Sequence, residues 1–185
     1  AYKRVMYWGE PVVAIAAETL EIAREACSKV KVEYEVLKPV LTLEESLKGD
    51  VVFHDWSKLN THHELYFEQG TNICQHTKVR EGDTEKAFAQ ADYVIEGEYE
   101  TSGIQHVCME GHGAIAKFDR DGLVVWTCAQ SPFFMRGQLA RAFGLPQNKV
   151  RMIIPPIGGG FGNKWELRAE PVVAALAKRT KGRPV

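Results

Sequence analysis

Four glycines fall within five positions in Gly158-Gly159-Gly160-Phe161-Gly162, followed by Asn163 and Lys164. A run of this kind permits positive φ and an unhindered approach of backbone to a ligand. Set between a strand and a helix, its free N–H groups suit an anion or an oxo group. It is not a Walker A loop: Asn163 precedes Lys164 where glycine belongs, and Trp165 replaces the magnesium-binding Ser or Thr. Nor is it a dinucleotide fingerprint, because the G-x-G-x-x-G spacing fails at Asn163. Two readings stay open, a loop that touches a ligand and a tight strand–helix turn.

Gln130-Ser131 follows one predicted strand and precedes a helix, so its amide stands at a strand's carboxyl edge, where α/β folds gather ligands. A local cap is the plainer role for such a glutamine. Cys108-Met109-Glu110-Gly111-His112 sets Glu110 and His112 between two apolar stretches. Neither has a partner visible in sequence for acid–base work, and a structural hydrogen-bonding role is expected. His54, His62, His63 and His76 with Cys74 invite a zinc reading. Only Cys74-x-His76 approaches ligand spacing, so these histidines read as surface residues. No Ser–His–Asp set and no Gly-x-Ser-x-Gly elbow is present.

Val5–Trp8 looks like strand, and Val12–Ala17 like a strand buried on both faces. Thr19 can cap a helix running to about Val30, and Lys31–Leu37 alternates as a half-exposed strand does. Thr42-Leu43-Glu44-Glu45 opens a short helix that Gly49 closes. Residues 51–75 are polar and aperiodic, a linker or long loop. Beyond it come strand 76–80, helix 84–91, strand 93–101 and strand 113–118. Arg120-Asp121-Gly122 then turns the chain into an antiparallel strand over 123–128. Ser131-Pro132 starts a helix that ends at Gly144, with Arg136 and Arg141 on its solvated face. Strand 149–154 leads into the glycine run. A last helix spans about 167–180, with Pro171 in its first turn. The fold class is α+β, a mixed α/β arrangement.

The chain of 185 residues is 45% hydrophobic and 25% charged with net charge -1, which excludes disordered and collagen-like classes. No basic patch is concentrated enough for nucleic acid, and no apolar run reaches the roughly 20 residues of a spanning helix. Cys27, Cys74, Cys108 and Cys128 form no CxxC pair and read as reduced thiols of a cytoplasmic protein. A start on strand and a finish on Gly182-Arg183-Pro184-Val185 read as a piece of something longer.

The order of these segments resembles the molybdenum hydroxylases, the xanthine dehydrogenase and aldehyde oxidase family. Gly9–Glu18 followed by Val32-Glu33-Tyr34-Glu35 looks like the end of that family's α/β hammerhead domain. Met109-Glu110, Ala129-Gln130-Ser131-Pro132 and Gly158–Lys164 look like its first molybdopterin-binding segment. Glu170-Pro171, Ala174-Ala175 and Gly182–Val185 continue the match, which omits only 51–75. The resemblance implies a hammerhead-type strand–helix–strand module over 1–50, a linker over 51–75, and a mixed-sheet molybdopterin-binding half-domain over 76–185.

It also implies roles. Gln130 matches the glutamine beside the apical molybdenum ligand, and Gly159, Gly160, Phe161 and Gly162 match the loop bordering pterin and metal. Trp165 and Glu166 stand where relatives contact substrate. Purine-oxidising relatives carry an acid where this chain has Trp165, which counts against purine recognition. No catalytic residue falls in this chain, since the family's base glutamate comes further on. The implied reaction hydroxylates an N-heterocycle or an aldehyde with oxygen from water, and electrons leave through iron–sulfur clusters to FAD. Implied cofactors are molybdopterin, or its cytosine dinucleotide, with FAD and iron–sulfur clusters on partner subunits or domains. A non-catalytic split subunit lending half of the cofactor cage is the alternative, and a phosphate-binding domain a third.

Overall fold

The computed structural model describes residues 4–54 and 70–185. Its backbone contacts group the chain into two units that each draw on two stretches of sequence.

One unit takes the described residues up to Glu10 and those of Val32–Glu100. Helix α2 (Leu43–Lys48) is fixed at both ends by local chemistry. The Thr42 hydroxyl accepts from Glu45 N–H, and the Glu45 carboxylate reaches back to Leu41 N–H at 3.1 Å. Gly49 stops the helix in the left-handed region at φ 75°. The Asn72 side chain stitches the following turn, donating to Ser46 O and Val51 O while accepting from Phe53 N–H. Helix α3 (Thr84–Gln90) is capped by the Asp83 carboxylate.

The other unit holds Pro11–Lys31 and Thr101–Val185. Thr19 caps α1 (Leu20–Ser28) through its hydroxyl, as its sequence position predicts. Its sheet has the order β1 (Ala114–Asp119), β2 (Gly122–Thr127), β3 (Val150–Ile153), with β1/β2 antiparallel and β2/β3 parallel. Helix α4 (Pro132–Phe143) supplies the crossover that parallel strands require. It ends at Gly144, φ 65°. Helix α5 (Glu170–Ala177) starts where Pro171 permits, with the proline in its first turn. Alternation does the rest. Ala116, Leu123, Val125 and Val150 meet Leu139 and Ala140 of α4 and Ala174 and Ala177 of α5 in the core. Each fully buried leucine there contributes about 1.5–3 kcal/mol. On β1, the backbone of Ala116 exchanges two hydrogen bonds with Val185, at 2.8 and 2.9 Å.

Five predicted strands are absent among the described residues: 5–8, 12–17, 31–37, 76–80 and 93–101 carry no ladder. Apolar runs and alternation report a capacity for burial, whereas a strand exists only with a partner to bond. Here Val36 and Ile95 remain 90% and 95% exposed. No described helix is long and apolar enough to cross a membrane.

Candidate functional site

Strands β2 and β3 run parallel, so their carboxyl ends share one edge of the sheet, the edge where α/β folds place ligands. Because β1 is antiparallel to β2, the segment entering β1 arrives at that same edge. Three stretches therefore converge: 106–113 before β1, 128–131 after β2, and 154–165 after β3. The topology brings together residues that the sequence holds far apart.

Gln130 is half-buried and turns its side-chain oxygen to the glycine run. Its Oε1 accepts from Gly162 N–H at 3.1 Å and from Lys164 N–H at 3.2 Å. Its own backbone N–H donates to Lys164 O at 2.8 Å. Two backbone donors on one oxygen fix the amide's orientation and leave the Nε2 hydrogens to donate elsewhere. Gln130 is thus no cap of α4. Ser131 occupies the N-cap position, but its hydroxyl donates to Trp165 O and not to the helix.

The glycines answer two different demands. Gly159 and Gly162 adopt φ 93° and 88°, and Phe161 between them sits at φ 50° with its side chain 73% exposed. Gly158 and Gly160 are glycines for want of space. A Cβ on Gly160 would stand 2.5 Å from Gln130 Oε1, and one on Gly158 would stand 2.6 Å from Glu110 Cβ. Gln130 and the run are therefore built around each other.

The third stretch closes the arrangement. Cys108 Sγ donates to Gly160 O at 3.4 Å, and Glu110 N–H donates to Gly158 O at 3.3 Å. The Glu110 carboxylate accepts from Gly158 N–H at 2.8 Å and pairs with Lys164 Nζ at 2.5 Å. Val107, a β-branched residue at φ 45°, lies in this stretch and is held there against its preference. Nearby, the buried Glu170 carboxylate joins α5 to β2, accepting from Thr127 Oγ1 at 2.6 Å and Arg168 N–H at 2.8 Å.

Glu110 has the hydrogen-bonding role expected of it, and its partner is Lys164. The hydrogen bond from Lys164, then that from Gly158 N–H, hold its carboxyl below the ordinary 4.5 against partial burial. For Lys164, burial works to lower the ammonium, but the Glu110 hydrogen bond and nearby negative charge outweigh it, raising the group above 10.5. The carboxylate's contribution to stability is complete above pH 4.5 and is lost as pH falls through the lower folded value. The ammonium's contribution is complete below 10.5 and is lost as pH rises through the higher folded value. The melting-temperature gap between wild type and Glu110→Gln is expected to be fully open near neutral pH and to close in more acid solution. Thermal denaturation across pH measures it; a gap unchanged down to about pH 2 would show that charge plays no part.

Of the other residues singled out, Trp165 is 53% exposed and Glu166 is exposed. His112 is exposed as well. Arg141 faces solvent, whereas Arg136 is half-buried, stacked 5.5 Å from the Phe133 ring and bonded to Gln147 Oε1. The described residues contain no cluster of three or more metal-ligating side chains, and His62 and His63 lie outside them. All four cysteines are free thiols. Lys164 is what the sequence reading missed. The available signal was a lone charge closing a stretch, 155–163, that carries none.

The molybdopterin cofactor-binding domain family matches residues 65–185. The probable hypoxanthine oxidase XdhD of Escherichia coli (strain K12) is 35% identical over 99% of this chain and 22% of its own length. The nicotinate dehydrogenase large molybdopterin subunit of Eubacterium barkeri is 32% identical over 96% of this chain and 39% of its own. Quinoline 2-oxidoreductase from Pseudomonas putida 86 superposes with TM-score 0.73 at 29% identity, covering 91% of this chain and 20% of that one. Aldehyde oxidoreductase from Desulfovibrio gigas does so with TM-score 0.71 at 28% identity, covering 91% and 17%. The chain spans about a fifth of the length of most of these relatives.

Proposed function

Because the chain belongs to the molybdopterin cofactor-binding domain family, we propose that it forms part of the molybdenum-cofactor subunit of a hydroxylase. The substrate class is an N-heterocycle or an aldehyde, and water supplies the oxygen. The relatives' names support this, one being a nicotinate dehydrogenase and another an aldehyde oxidoreductase. The observation that carries the reading is the glycine run folded around Gln130, with the Gln130 side chain seated where a Cβ on Gly160 would stand and its oxygen tied to the run's own amides.

These residues suit an oxygen-rich, anionic group. Gln130, with Oε1 committed to the run, offers its Nε2 hydrogens as donors. Gly159, Gly160 and Gly162 keep backbone, not side chain, against the ligand, and the exposed Phe161 ring gives that surface an apolar border. When bound, the cofactor supplies two-electron redox chemistry at molybdenum. Molybdopterin or its cytosine dinucleotide fills the role. FAD and iron–sulfur clusters, the electron acceptors this reading calls for, would be held by partner subunits or domains. Trp165 and Glu166, both exposed beside the run, face substrate in this reading. Residues 1–50 are then the end of a hammerhead-like domain, 51–75 its connection, and 76–185 the first part of the molybdopterin-binding domain. A cytoplasmic location goes with the four free thiols.

The test is elemental. Residues 1–185 purified alone are expected to hold far less than one molybdenum per chain, and the complete subunit about one. The rest of the cage and the base glutamate are assigned to the remainder of that subunit. Near one metal in the isolated 185 residues would overturn this division.

A further inference from the structure

The side chain of Lys164 is 1% exposed, although nothing charged precedes it from Pro155 onward. A buried ammonium persists only when it is paired and hydrogen-bonded. Its partner is a single oxygen, Glu110 Oε2, which also receives the Gly158 N–H at 2.8 Å. Gly158 opens the glycine run and Lys164 closes it. Lys164 then passes the constraint on: its N–H donates to Gln130 Oε1 and its C=O accepts from Gln130 N–H. Neither Glu110 nor Lys164 belongs to a helix or strand, so these contacts, and no ladder, fix where they stand.

We propose that the Glu110–Lys164 pair is a clamp that sets the shape of the glycine run, making both of them positioning residues for the cofactor. Only the last step, the cofactor, rests on the function proposed above. The pair acts through Gly158 and Gln130 and touches no reacting atom. Its chemistry predicts an asymmetry. Glu110→Gln leaves a buried ammonium without a counter-charge, which costs stability as well as position. Combining it with Lys164→Met removes that charge, so stability returns while the tie between the run's two ends does not.

The experiment uses the complete protein with its partner subunits. Amide hydrogen exchange is followed in peptides covering 157–165 and 114–127, alongside molybdenum and pterin content and melting temperature. Glu110→Gln and the double variant are both expected to speed exchange in 157–165 at least tenfold while 114–127 stays unchanged. Pterin content should fall at least fivefold in both, and melting temperature should recover in the double variant. Lys164→Arg, which keeps the charge, should retain more than half of the wild-type pterin. Should Glu110→Gln fail to fold, Glu110→Asp carries the same comparison with a shortened reach.

Unchanged exchange in 157–165 would overturn the clamp. So would equal acceleration in 114–127, which marks global loosening, or wild-type pterin content in a variant whose run is loosened. If the wild-type protein holds no pterin, the cofactor reading fails, and the exchange comparison alone still decides the clamp.

Discussion

Gly160→Val in the complete molybdenum subunit is expected to abolish cofactor incorporation while leaving the β1–β2 hairpin and helices α4 and α5 in place. The reason is steric. Gly160 is buried and lacks the positive φ of its neighbours Gly159 and Gly162. Its missing Cβ is the space that Gln130 occupies, with Gln130 Oε1 at 2.5 Å and Cγ at 2.8 Å from where that atom would stand. A valine adds two further methyls, so Gln130 must swing out and release the Gly162 and Lys164 amides. Overpacking of this kind costs typically about 1–3 kcal/mol. Here it falls on a loop outside the core formed by Leu123, Val125, Leu139 and Ala174. Damage should therefore stay local. Pterin content and circular dichroism, measured beside wild type, provide the check. Wild-type pterin content would sink the ligand-loop reading in favour of a tight turn, and global unfolding would show that the glycine serves packing.

What the sequence disclosed depended on how local each signal was. Thr19, Thr42, Gly49 and Gly144 mark helix ends through contacts within one turn of chain, and all four stand where their residue types place them. The Asp119–Gly122 turn is equally local, with Asp121 N–H bonded to Asp119 Oδ1. Strands over 12–17, 31–37 and 93–101 needed knowledge of a partner, which no periodicity contains. The candidate site divides in the same way. The glycine run is conspicuous in one dimension, but the reason for Gly160 is a side chain 30 positions earlier, and the counter-charge of Lys164 lies 54 positions away. Ser131 shows a residue type misleading: it has the N-cap place, yet its hydroxyl serves Trp165 O. A lysine that ends an uncharged stretch predicts a distant acid only once it is known to be buried.

Gln130→Ala and Gln130→Glu together should separate the two jobs of this side chain. Alanine removes Oε1 and strands two backbone donors, the N–H groups of Gly162 and Lys164. Gly162 is exposed and water can replace the lost partner; Lys164 is buried and water cannot. One desolvated amide without a partner costs about 1–3 kcal/mol, so a modest fall in melting temperature is expected. Turnover per bound molybdenum should fall further, on the order of tenfold or more, since a lost hydrogen bond worth about 1.4 kcal/mol already accounts for that factor. Glutamate restores an acceptor for both amides but has no hydrogens to give. In the proposed role Gln130→Glu therefore recovers the melting temperature and not the turnover. Recovery of both would show that Gln130 works only as a tie for the glycine run. A collapse of melting temperature in Gln130→Ala, with turnover per folded molecule unchanged, would lead to the same conclusion by another route.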